Sequence, residues 1–136
     1  MVLARRPARL LVSLVAVCAI AAAPLASAGE LPSFGGRAVK KSGSCPGPSH
    51  WVLVLRSGDP GDLVVTFTVH GGASGQTWSI FMDDNGRGFF HGTRTSKADG
   101  WFRVRTVTRN RLGTDKIVVA ADNAKTGELC QATASF

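Results

Sequence analysis

The chain has 136 residues, with sixteen Lys and Arg against nine Asp and Glu, sixteen Gly, three Cys and no Tyr, so it holds one ordinary domain and excludes multidomain machinery. A net charge of +7 and a hydrophobic fraction of 44% suggest a basic, membrane-leaning protein only until their distribution is considered. The first 28 residues contain no Gly and no acidic residue, and they carry most of the apolar excess.

In that block Arg5, Arg6 and Arg9 precede an apolar run from Leu10 to Ala23, and Ala26-Ser27-Ala28 supplies a small-x-small pattern. This predicts a secretory signal peptide over residues 1–28, cleaved after Ala28. A spanning helix needs about 20 predominantly apolar residues, and this run is shorter and ends at Pro24, so no transmembrane segment is expected after cleavage. Val17 precedes Cys18 where a lipidated cysteine takes a small residue, and Pro7-Ala8-Arg9 after Arg5-Arg6 lacks the apolar pair of a twin-arginine signal. The expected location is secreted, extracellular. The remaining 108 residues keep thirteen basic and nine acidic side chains, a net charge of +4, and all sixteen Gly, which points to many tight turns. Only Cys45 and Cys130 survive cleavage, so an oxidising compartment offers one intrachain pairing.

Residues 29–36 (GELPSFGG) read as a flexible tail, and residues 37–136 as the domain. Trp51 to Leu55 is a continuous apolar run ended by the breaker segment 56–62. Leu63, Val65, Phe67 and Val69 occupy one face of an alternating segment with Thr66, Thr68 and His70 on the other, a half-buried strand that stops at 70–75 (HGGASG). Trp78, Ile80 and Met82 share the next apolar face, with Phe81 on the opposite phase. Asp83-Asp84-Asn85-Gly86 then predicts a tight hairpin into Phe89 and Phe90. After Asp99-Gly100, Phe102, Val104, Thr106 and Thr108 oppose Arg103, Arg105, Val107 and Arg109. Short strands follow at 117–121 and from Glu128 to Phe136. No 3.6-residue periodicity persists, so the fold class is all-β: an antiparallel sandwich of seven or eight short strands. Pairing Cys45 with Cys130 would bring the first and last strands together, within one sheet or across two.

Asp99-Gly100 with Phe102 and Val104, Gly113-Thr114 with Ile117, Val119 and Ala121, and Thr126-Gly127 before a closing strand resemble the second half of secreted bacterial immunoglobulin-like modules. The resemblance covers roughly residues 83–136. It implies an immunoglobulin-like β-sandwich serving as a spacer, adhesion or carbohydrate-associated module, with no shared catalytic residues. Size and export are also similar to the single-domain apoproteins of actinobacterial chromoproteins, which hold a small molecule but carry two disulfides where this mature chain can make one.

Between Arg87 and Lys116 stand eight basic residues and two acidic ones. Arg103, Arg105 and Arg109 on one strand face, with Trp101 at its end and Arg94 nearby, form a stripe suited to an anionic polymer. The same stripe on a solvated strand would discourage edge-to-edge pairing. Phe81 and Trp101, off the phase of their apolar faces, are the aromatics placed for exposure and sugar stacking, whereas Trp51 and Trp78 are expected in the core. Asp83, Asp84 and Asn85 offer too few oxygens for Ca²⁺, and His50, His70 and His91 show no ligand spacing, so neither metal nor cofactor is expected. No catalytic signature is present. The sequence therefore predicts a non-catalytic binding module for an anionic or carbohydrate polymer, a cell-wall polymer or glycan, or a secreted protein, without nucleic acid. A small-molecule carrier with an apolar cleft between the sheets is the alternative, and a small hydrolase the third.

Overall fold

A computed structural model describes residues 36–136. The expected signal peptide and all but the last residue of the expected tail lie outside them. Eight strands follow in order: β1 (Ala38–Ser44), β2 (His50–Ser57), β3 (Asp62–His70), β4 (Thr77–Asp84), β5 (Arg87–Thr95), β6 (Phe102–Arg109), β7 (Lys116–Asn123) and β8 (Glu128–Ser135). They form two four-stranded antiparallel sheets, β1-β2-β3-β6 and β5-β4-β7-β8, an all-β sandwich with no helix among the described residues.

The alternation of each central strand makes the two layers. In β3, Leu63, Val65, Phe67 and Val69 are fully buried while Val64, Thr66 and Thr68 on the other face stay half-buried. In β4, Trp78, Ile80 and Met82 point inward, and β7 adds Ile117, Val119 and Ala121. Small residues Ala132 and Ala134 on β8 admit the larger partners opposite, and Trp78 packs against Phe102 with ring centroids 5.5 Å apart. Each fully buried Leu, Val, Ile or Phe contributes roughly 1.5–3 kcal/mol by leaving water, so the inner faces outweigh every surface contact described below.

Seven of the strands follow the apolar patterning; β1 does not. Of AVKKSGS only Val39 packs against the core, and the strand is held by its ladder to β2. Gly43 lies opposite Trp51 in that ladder, and a Cβ there would run into the indole, so Trp51 lies over the glycine. This corrects the expectation for Trp51 in part: it packs against the core but is only half-buried, whereas Trp78 is 1% exposed. The Asn-Gly hairpin forms as expected, with Asn85 at φ 52° and Gly86 at φ 77°. Gly86 N–H donates to Asp83 Oδ1 at 3.0 Å.

Three connections cross between the sheets: 71–76, 96–101 and 110–115. Ser96 Oγ joins the first two, donating to Ala73 O at 2.7 Å and accepting from Gln76 N–H at 3.0 Å. A disulfide links Cys45, just after β1, to Cys130 on β8, and so ties one sheet to the other. Beside it Glu128 Oε1 accepts from Ser49 N–H at 3.0 Å and Oε2 from Ser49 Oγ at 3.1 Å.

Candidate anion-binding face

Register, more than sequence proximity, assembles the cationic face. On the outer side of the first sheet, Arg103 lies opposite Thr68, Arg105 opposite Thr66, Val107 opposite Val64 and Arg109 opposite Asp62. One strand further, Thr66 faces Val54 and Val64 faces Arg56, and beyond those Val54 faces Lys40 of β1. Lys40, Arg56, Arg103, Arg105 and Arg109 thus share a sheet face whose strands carry one carboxylate, Asp62.

Two shallow depressions follow this face. The larger, about 590 Å³, has Val54, Val64 and Val107 in its floor and Arg56, Arg103 and Arg105 around them, with Asp59 and Asp62 at one end. The second, about 320 Å³, is lined by Arg94, Lys97 and Trp101 and shares Arg103 and Arg105 with the first. Among the described residues none of these cations has an ion-pair partner, and the one salt bridge joins Arg111 to Asp84 at 3.8 Å. Arg103 Nε donates to Thr68 Oγ1 at 3.2 Å, which holds its guanidinium along the face.

The aromatic at the head of the stripe serves the cations. Lys97 Nζ stands 4.5 Å and the Arg103 guanidinium carbon 5.8 Å from the centre of the Trp101 ring, both within cation–π range of about 6 Å. Arg94 lies 5.7 Å from the Phe90 ring in the same way. Trp101 is half-buried and orders two charges, which leaves less of its surface for a sugar ring.

The structure brings Arg94, Trp101, Arg103 and Arg105 together, leaves Arg109 at the far end of the same sheet face and puts Phe81 on the other sheet. Arg109 lines a different depression with Pro60, Asp62 and Leu112. Phe81, 46% exposed, is on the outer face of the second sheet, opposite His91 and away from the arginines. The pattern gave its phase correctly, but phase does not say which sheet a strand joins. Sequence reasoning missed Arg56, Lys40 and the valine floor. The outward phase of Val64 in β3 was the available signal; the pairing that sets them beside β6 was not.

Other clusters are structural. His50 and His70 face each other at 5.7 Å between centroids, and His91 is on the other sheet. His50 Nδ1 is 3.2 Å from Ser44 Oγ, an exposed Ser–His contact with no carboxylate bound to the ring among the described residues. Cys45, Glu128 and Cys130 converge, but the sulfurs are bonded to each other and the carboxylate serves Ser49, so no ligand set remains. Asp84 points inward with 1% exposure, near fully buried Asp115. Burial raises the Asp84 pKa above the ordinary carboxylate value, and the Asp115 charge raises it further against the pull of Arg111. No protein-family model, curated protein or solved structure matches the chain.

Proposed function

We infer that this chain is an exported, non-catalytic binding module, an immunoglobulin-like sandwich of the secreted bacterial kind that residues 83–136 resemble, whose first sheet binds an anionic polymer. The observation that carries the reading is the run of unpaired cations, Arg56, Arg94, Lys97, Arg103 and Arg105, around two adjoining depressions. Like charges gathered on a surface repel one another, and a polyanion relieves that repulsion while releasing counterions. Protection of an exposed edge would account for cations on β6 alone, because β6 is an edge strand. It does not account for Arg56 on β2, inside the sheet. The disulfide accords with an extracellular location, and no helix among the described residues is long and apolar enough to cross a membrane.

Between the two polymers expected, the anionic one fits better, since Lys97 and Arg103 occupy the indole that a neutral sugar would stack on. The binding-module reading is favoured over a carrier with a cleft between the sheets by the full burial of Leu53, Val65, Phe67, Ile80 and Val119 on the inner faces. Heparin is a suitable probe. Fluorescence anisotropy with labelled heparin should give saturable binding that weakens roughly tenfold or more from 0.05 to 0.5 M salt and that Arg103→Ala/Arg105→Ala largely removes. Binding indifferent to both changes would contradict the reading.

A further inference from the structure

The cations on this face are graded along the strands. Successive outward positions of β6 are two residues apart, about 6.8 Å. Trp101, with Lys97 against its ring, precedes Arg103 by one such step, and Arg105 follows by another. The next level on β6 is Val107, an apolar residue. Its level is filled from across the face, where Val64 lies opposite both Val107 and Arg56. Arg56 lines the same depression as Arg103 and Arg105. Lys97, Arg103, Arg105 and Arg56 therefore place positive charge at four consecutive levels spanning roughly 20 Å; Lys40, in line with Arg105 through Thr66 and Val54, adds a second charge at that level, and Arg56 stands two strands, about 9.6 Å, to the side of β6.

A spacing near 7 Å between charged levels selects a chemistry. In a glycerol phosphate chain six backbone bonds separate neighbouring phosphorus atoms. A polypeptide covers about 3.3–3.6 Å in three bonds, so six extended bonds cover about 7 Å. Single-stranded nucleic acid has the same six-bond repeat, but its bases need open aromatic faces to stack on. Here the Trp101 ring carries two cations, and the His50 and His70 rings lie against each other. Beside the charges, at the levels of Arg105 and Arg56, the floor is Val54, Val64 and Val107, apolar surface suited to the carbon atoms of a polyol.

We propose that the outer face of the first sheet binds a linear polyol phosphate running obliquely from Trp101 and β6 across β3 toward Arg56 on β2, one phosphodiester to each of these four cations. This rests on the anionic-polymer reading and narrows it to a phosphodiester repeat. The test is isothermal titration of the full chain with synthetic glycerol phosphate oligomers of increasing length. Affinity should rise with each phosphate up to about four and then level off. The logarithm of the binding constant should fall with that of salt with a slope of about −2.8, from about −0.7 per phosphate on a single strand. Arg56→Ala, at an exposed position, should shorten the plateau to about three phosphates and reduce the slope by about 0.7. An affinity independent of length, or an Arg56→Ala plateau unchanged at four, overturns the proposal. So does a single-stranded oligonucleotide of equal phosphate count that binds as tightly. If heparin binds this face while the glycerol phosphates do not, the phosphodiester assignment falls and the anionic reading stands. If neither binds, both fall.

Discussion

Joining Cys45 to Cys130 closes a loop with a sequence separation of 85 and bridges the two sheets at one edge. Replacing both residues by Ala keeps the site apolar, since both are buried, and frees the ends of the unfolded chain. Chain entropy for a loop of this length gives a loss of about 15 cal/mol/K, or about 4.5 kcal/mol at 25 °C. Unfolding a domain of roughly 100 residues releases about 0.2 kcal/mol/K near its midpoint, so the melting temperature should fall by roughly 20 °C. Urea titrations of the oxidised wild type and the Cys45→Ala/Cys130→Ala variant, followed by tryptophan fluorescence, measure the difference directly. A loss below about 1 kcal/mol would refute the reasoning. It would mean that Ser49–Glu128 hydrogen bonding and edge packing alone hold β8 to the β1–β2 turn.

Gly100, at φ 67°, sits where a Cβ would be driven into the Gly72 carbonyl, so Gly100→Ala must separate the 71–76 and 96–101 connections. The left-handed conformation alone costs Ala about 1–2 kcal/mol, and a loss beyond that in thermal unfolding is expected. Because burial raises the Asp84 pKa, the native state holds its proton more readily than the unfolded chain does. This site should therefore add stability as pH falls from neutral toward the ordinary value of 3.8, and add nothing further below it. Asp84→Asn removes that contribution, so wild type should gain on the variant as pH drops; the opposite trend in paired denaturation curves would contradict the assignment. Phe81→Ala, on the other sheet's outer face, should leave heparin affinity unchanged within twofold by anisotropy.

The layers were legible because burial has a period of two in a strand. Leu63, Val65, Phe67 and Val69 name an inner face before any contact is known. β1 was not legible, because an edge strand is held by backbone pairing and by Trp51 lying over Gly43, neither of which leaves an alternating signature. The same limit applies to the candidate face. Arg103 and Arg105 lie two residues apart and were visible together with Trp101. Arg56 joins them only through the β2–β3 and β3–β6 registers, across 47 positions of chain from Arg103. Phe81 was grouped with them by exposure, a property that does not specify a sheet. The hairpin signal of residues 83–86 was correct, yet it hid the inward turn of Asp84 toward Asp115, which depends on the 110–115 connection folding beneath it.

The proposed anion site is the outer face of β2, β3 and β6. Amide chemical-shift mapping of isotope-labelled protein titrated with heparin tests it most directly. Perturbations are expected at Arg56, Val64, Thr66, Trp101, Arg103 and Arg105, reversed by salt. Perturbations centred on Phe81, His91 and Ala120, or none at saturating heparin, would contradict it.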